Sequence, residues 1–73
     1  MEQEFRKILA HNIKVERVKR DLTQEQLAEL SEISTKHITK IENANVTPSA
    51  YLVFKIAKAM NVSIDKLFTK EEL

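Results

Sequence analysis

Apolar residues recur along the chain every three or four positions, which is the spacing of helices that bury one face. In the first segment Phe5, Leu9 and Ile13 are four residues apart. The same rhythm predicts five helices, at about 2–20, 24–31, 35–43, 48–60 and 64–68. We therefore expect an all-α fold in which residues 1–73 form one domain.

Residues with hydroxyl side chains stand at the predicted starts of several helices and can cap those helices. Thr23 is followed three residues later by Gln26, which is the sequence of a capping box, and Ser34 can cap the next helix. Proline is tolerated at a first helical position, so Thr47, which precedes Pro48, is expected to cap the fourth helix. The caps at Thr23 and Ser34 predict two short helices joined by a tight turn.

The second of these short helices has one apolar and one polar face. Ile38 and Ile41, three residues apart, are expected to pack against Leu27. The opposite face has no carboxylate and carries Thr35, Lys36, His37, Thr39 and Lys40. Lysine can reach guanine O6 or N7, and threonine can offer a hydroxyl or pack its methyl on thymine, so this face suits a DNA major groove.

Composition excludes several other classes of protein. The chain has no cysteine, so neither a disulfide framework nor a thiolate metal site is possible. No long apolar run or signal peptide is evident, and we expect a cytoplasmic protein without a membrane span. No nucleophile–His–acid set, glycine-rich phosphate loop or metal cluster is present, so we expect neither an enzyme nor a cofactor.

Charge is informative through its distribution, because the net charge is only +1. Between residues 33 and 60 there is a single carboxylate, Glu42. The cations of the same stretch are Lys36, Lys40, Lys55 and Lys58. If Glu42 is neutralised inside the molecule, this half of the chain presents positive charge to a polyanion.

The order of these motifs resembles the helix-turn-helix of phage repressors and Cro proteins, the bacterial family of xenobiotic-response-element (XRE) type regulators. The resemblance covers about residues 9–68 and rests on Leu22–Ala28, Ile33–Ser34, Ile38, Ile41–Asn43, Pro48–Ser49, Ile56–Met60 and Val62–Phe68. It implies a compact, repressor-like five-helix domain with its helix-turn-helix at about 23–43. The implied function is sequence-specific transcription regulation, with double-stranded DNA as the partner.

Residue roles follow from the resemblance together with the chemistry of each side chain. Thr35, Lys36, Thr39 and Lys40 are the candidates for reading bases. The candidates for contacting the DNA backbone are Thr23, Gln24, His37, Asn43, Asn45 and Thr47, the last three through backbone amides and side chains of the loop. The family also pairs an arginine internally with the glutamate after its recognition helix, here Arg17 with Glu42.

Regulators of this type bind palindromic operators as two-fold dimers, so a homodimer is implied. Leu52, Phe54 and Phe68 are the candidates for its subunit contact. A different class of function remains open, in which the same fold serves as an antitoxin or adaptor that grips another protein. Phage repressor, restriction–modification controller and antitoxin are all compatible with a chain of this size.

Several positions depart from the family. Glu32 and Ala44 replace frequent glycines, and a left-handed conformation there would cost about 1–2 kcal/mol. The turn at Glu32 is therefore expected to differ or to lose stability, and the loop at Ala44 to be tighter or displaced. Glu16 occupies a position that is usually apolar, which suggests that the first helix is rotated.

Overall fold

The computed structural model describes residues 1–70, which form five helices and no strands. They are α1 (Glu2–Lys19), α2 (Gln24–Ser31), α3 (Thr35–Glu42), α4 (Ala50–Met60) and α5 (Ile64–Phe68). The prediction of an all-α, five-helix fold is confirmed, and each helix lies within two residues of its expected bounds. None of the described helices is both long enough and apolar enough to span a bilayer.

The core is built from the apolar face of every helix. Its fully buried side chains are Leu9, Ile13, Leu27, Ile38, Ile41, Val53, Ile56, Met60 and Leu67. Burying one such side chain contributes roughly 1.5–3 kcal/mol relative to leaving it in water. Ile38 and Ile41 join the same cluster as Leu27, as predicted, which fixes α3 with its opposite face outward.

Two aromatic side chains, one on α1 and one on α5, lie at the edge of the core. Phe5 and Phe68 are 37% and 40% exposed, and their rings stack with centroids 5.6 Å apart. Leu67 is therefore the residue of α5 that closes the core. The Asn12 amide donates to the carbonyls of Leu67 and Thr69, at 2.8 and 2.9 Å, and ties the end of α5 to α1.

The start of α4 differs from the prediction, because Ser49 and not Thr47 is its cap. The Ser49 hydroxyl accepts from the Leu52 amide at 3.2 Å. The Thr47 hydroxyl is turned toward α1, where it accepts from Arg6 Nε at 2.7 Å and donates to Glu2 Oε2 at 2.9 Å. The expectation that Thr47 caps the helix was therefore wrong, since its hydroxyl is used by α1.

Each of the helices α1 to α4 is followed within two residues by a non-glycine residue in the left-handed conformation. These residues are Asp21, Glu32, Ala44 and Asn61, with φ between 56° and 60°. At each end the following amide donates to the carbonyl five residues earlier, as in a Schellman motif. Glu32 thus makes the turn that glycine usually makes, and an ordinary side chain costs about 1–2 kcal/mol in that conformation.

The first helix is not rotated, contrary to the expectation raised by Glu16. This carboxylate is buried, and Arg20 Nη1 donates to its Oε1 at 2.8 Å while Lys19 Nζ lies 3.5 Å from Oε2. The hydrogen bond from Arg20 holds the pKa of Glu16 below its ordinary 4.5, against the opposing effect of burial. Lys19 in the last turn of α1 and Arg20, which follows the helix, therefore make a buried carboxylate tolerable. Val18 remains exposed beside it.

Candidate nucleic-acid interface

Arg17 of α1 and Glu42 at the end of α3 form a two-pronged ion pair. Arg17 Nε lies 2.7 Å from Oε2 of Glu42, and Nη2 lies 3.0 Å from Oε1. The third guanidinium nitrogen donates to the Leu22 carbonyl at 2.7 Å. The side chains are 12% and 2% exposed, so the pair implied by the resemblance is present and its charges are shielded from solvent. Because Glu42 is neutralised, the helix Thr35–Glu42 carries no free carboxylate of its own to oppose its cations.

The ion pair extends into a polar chain that reaches α2 and returns to α3. Gln24 Nε2 donates to Glu42 Oε1 at 3.1 Å, and Thr39 Oγ1 donates to Gln24 Oε1 at 2.8 Å. We call Arg17, Glu42, Gln24 and Thr39 the polar chain. Sequence reasoning missed the contact between Gln24 and Thr39, because these residues are fifteen positions apart and meet only when α2 packs on α3.

The face of α3 opposite Ile38 bears the four predicted base-reading residues, which we call the reading face: Thr35, Lys36, Thr39 and Lys40. Both lysines are exposed and both threonines are half-buried. Residues four apart on a helix are neighbours, so the lysines form one row and the threonines another. Neither lysine forms an ion pair within residues 1–70. The reading face therefore presents two free ammonium groups beside two hydroxyls.

The start of α2 retains two amides that can meet a phosphate. The capping box predicted at Thr23 is present: its hydroxyl accepts from the Gln26 amide at 3.0 Å, and the Gln26 side chain accepts from the Thr23 amide at 2.8 Å. The Gln24 and Glu25 amides remain at the positive end of the helix, an arrangement that favours anions. The Gln24 side chain uses one amide hydrogen on Glu42 and keeps its second.

Of the two expected routes from the loop after α3 to DNA, backbone amides and side chains, the amides of both asparagines are already engaged within the helix end. The Asn43 amide donates to the Thr39 carbonyl and the Asn45 amide to the Lys40 carbonyl, both at 3.0 Å. These two amides close the helix, so Asn43 and Asn45 would have to contact a phosphate through their side chains. The Thr47 hydroxyl is likewise engaged with α1.

His37 is less exposed than Lys36 and Lys40, the two lysines of α3. Its ring is half-buried, and Nε2 is covered without a hydrogen-bond partner in the part of the chain that the structure describes. A phosphate contact from this residue would therefore have to use Nδ1.

The start of α1 lies beside the loop after α3, which the sequence did not indicate. Gln3, Arg6 and Lys7 line a cavity of about 450 Å³ together with residues 43–45. Arg6 also contacts Glu2 at 3.0 Å. The hydrogen bond from Thr47, followed by the charge of Arg6, lowers the pKa of Glu2. The sequence gives only one indication of this surface, which is that the cations Arg6 and Lys7 are adjacent on α1.

Comparisons with known proteins agree with this geometry. Residues 13–67 match the HTH_3 helix-turn-helix family. The chain is 39% identical over 72 residues to control protein C.SmaI of Serratia marcescens, covering 96% of this chain and 83% of that protein. Among solved structures, a hypothetical transcription factor, NHTF, from Neisseria is 26% identical with a TM-score of 0.89, covering 96% of this chain and 80% of that one.

The restriction-modification controller C.AhdI of Aeromonas hydrophila is 24% identical, has a TM-score of 0.84 and shows the same fold over 86% of this chain and 96% of its own. These matches are to regulators and not to enzymes. With its five helices and its α2–α3 pair in this arrangement, the chain belongs to the HTH_3 (XRE-type) helix-turn-helix family of transcription regulators and has their DNA-binding fold.

Proposed function

We propose that the protein is a sequence-specific regulator that inserts α3 into the major groove of promoter DNA. The observation that supports this most directly is the reading face, where the amines of Lys36 and Lys40 are exposed on the side opposite the buried Ile38. Amines and hydroxyls in this position can hydrogen-bond base edges. Burial of Glu42 against Arg17 neutralises the one carboxylate of α3, which would otherwise repel phosphates.

Backbone contacts on both sides would orient α3 in the groove. We assign them to the first amides of α2 and the Gln24 side chain at one end, and to the side chains of Asn43 and Asn45 at the other. Such contacts position the protein and carry no sequence information of their own. His37 and Thr47 are weaker candidates, because their polar atoms are partly covered or engaged elsewhere.

The protein acts as a homodimer on a palindromic operator within this proposal. The described chain measures 30 Å in its longest dimension and carries one recognition helix. Two half-sites separated by one helical turn are about 34 Å apart, so two copies are needed to read both. Phe54 is the best placed of the three candidate contact residues, since its side chain is 47% exposed. Leu52 is half-buried, and the ring of Phe68 is stacked on Phe5.

Among the possible regulatory contexts, control of a restriction–modification system is favoured. The similarity to control protein C.SmaI and the fold shared with the controller C.AhdI support it. The alternative of an antitoxin or adaptor would use the same fold mainly for protein contact. A stoichiometric protein partner, together with the absence of any salt-sensitive retention on DNA, would favour that alternative.

Selection of bound sequences from a random DNA pool tests the proposal most directly. We expect an enriched palindrome with half-sites one turn apart, bound with an affinity that falls steeply as salt increases. An unenriched pool would contradict sequence-specific binding. Enrichment of a single half-site would retain specific binding but contradict the dimer.

A further inference from the structure

Thr39 can offer DNA only some of the contacts that a threonine can make, because its one hydroxyl proton is already used in a hydrogen bond within the protein. Oγ1 donates to Gln24 Oε1 at 2.8 Å, and a hydroxyl has a single proton to donate. What remains for DNA are the oxygen lone pairs and the methyl group.

The direction of this hydrogen bond is set by the ion pair at the other end of the polar chain. Arg17 holds Glu42 in a site where the glutamate side chain is 2% exposed, and an ionised carboxylate only accepts hydrogen bonds. The Gln24 amide must therefore turn its NH₂ group toward Glu42 and its oxygen toward Thr39. An amide oxygen cannot donate, so Thr39 must.

We propose that Gln24 is a positioning residue that makes Thr39 a hydrogen-bond acceptor, and that it thereby determines which base Thr39 tolerates. This inference rests on the proposed function, since it requires α3 to lie in the major groove. An acceptor that carries a methyl group suits the amino groups of adenine and cytosine and the methyl of thymine. Guanine presents only acceptors, O6 and N7, in the same groove, so it finds no donor on Thr39.

Binding of a phosphate by Gln24 does not break this arrangement. The side-chain amide has two hydrogens, and only one is directed at Glu42. The second can reach a phosphate while the oxygen continues to accept from Thr39. Gln24 can therefore contact the backbone and orient a base-reading residue at the same time.

Selection from a random DNA pool with four variants tests this assignment. Thr39→Val removes the hydroxyl, and the position whose base preference changes identifies the base that Thr39 faces. Gln24→Ala releases the hydroxyl proton, and we expect guanine at that position to become about fivefold more frequent relative to adenine, the value of one hydrogen bond. When Gln24→Ala is added to Thr39→Val, the base preference at that DNA position should not change further. Thr39→Ser should retain the exclusion of guanine, because its hydroxyl can make the same bond.

Glu25→Ala is the matched control, since Glu25 is an exposed residue in the same turn of α2. It should alter overall affinity without altering the preference at the position that Thr39 faces. An unchanged preference in Gln24→Ala, or an equal change in the Thr39→Val background, would overturn the inference. A wild-type protein that enriches no sequence would instead overturn the proposed function.

The folding of each variant is checked in a separate experiment. The wild-type protein bound to DNA provides a second test of the inference. In the DNA complex we expect an NMR resonance from a slowly exchanging Thr39 hydroxyl proton that disappears in Gln24→Ala. A rapidly exchanging hydroxyl in the wild-type complex would show that the proton is free to serve a base, and this too would overturn the inference.

Discussion

Arg17 and Glu42, twenty-five residues apart in the chain, join the first helix to the end of the recognition helix through two hydrogen bonds of 2.7 and 3.0 Å. The pair both anchors α3 and removes a negative charge from the side of the molecule that would face DNA. Its energetic importance comes from burial, because a charge left alone in such a site lacks the water that would otherwise solvate it.

Removing one partner of this pair should therefore be costly. We expect Glu42→Gln to lower the free energy of unfolding by about 3 kcal/mol, near the lower end for a stranded buried charge, because Arg17 keeps its bond to the Leu22 carbonyl. The double variant Arg17→Met/Glu42→Met should lose less than the sum of the single changes. Urea unfolding measures both. Glu29→Gln, an exposed glutamate of α2, is the control and should change stability little. A loss in Glu42→Gln no larger than in this control would contradict the assignment.

Glycine should improve the two strained helix ends where the family often has it. Glu32→Gly and Ala44→Gly relieve the left-handed backbone, and we expect each to stabilise the protein by about 0.5–1 kcal/mol after the greater flexibility of unfolded glycine is counted. Thermal unfolding provides the measurement. Glu29→Gly, in the same helix but with helical backbone, should destabilise by about 1 kcal/mol. The changes in stability caused by Glu32→Gly and Glu29→Gly are therefore expected to have opposite signs. Changes of the same sign would contradict the prediction.

Low pH should reduce the contribution of Glu16 to the stability of the folded protein. Its pKa is lowered in the folded protein, chiefly by the hydrogen bond from Arg20, so the unfolded chain takes up the proton first as pH falls. The stabilisation is therefore complete above about pH 4.5 and is lost as pH drops through the folded value. We expect Glu16→Gln to cost about 2 kcal/mol at pH 7 and progressively less toward pH 3, as measured by urea unfolding. A difference from the wild type that does not vary with pH would contradict this account.

The lysines of the reading face should control specificity. We expect Lys36→Ala or Lys40→Ala to weaken binding to the selected operator by about 1–3 kcal/mol and to relax the preference at the base that each lysine contacts. Fluorescence anisotropy on selected and scrambled duplexes separates the two effects. Lys14→Ala, an exposed lysine of α1, is the control and should leave base preference unchanged. Equal losses on both duplexes would show that the lysines contact only phosphates.

Dimerisation should depend on the exposed aromatic residue of α4. In sedimentation experiments we expect the wild type to associate with increasing concentration, and Phe54→Ser to weaken that association about tenfold or more, as expected for an apolar side chain at the centre of an interface. Phe68→Ser should have a smaller effect, because its ring is partly covered by Phe5. Val18→Ser, which alters an exposed apolar residue of α1, is the control. A wild type that stays monomeric even on DNA would contradict the dimer.

Much of the fold follows from the sequence because its determinants are local. Helical periodicity identified the buried face of α3, and the capping box at Thr23 requires only Gln26, three residues away. Asn61 ends α4 in the left-handed conformation for an equally local reason, because asparagine enters that conformation at modest cost. Even the Arg17–Glu42 pair could be anticipated, although through family resemblance and not through spacing.

The sequence by itself thus determined which segments become helices, which of their faces turn inward and which helix carries the lysines. Only the tertiary structure decided that Thr39 gives its proton to Gln24, that the Thr47 hydroxyl serves α1 and not α4, and that Glu16 can be buried. The physical reason is the distance along the chain over which each kind of interaction acts. Periodicity and capping act over three or four residues, whereas the partner of a polar side chain on another helix depends on how whole helices pack.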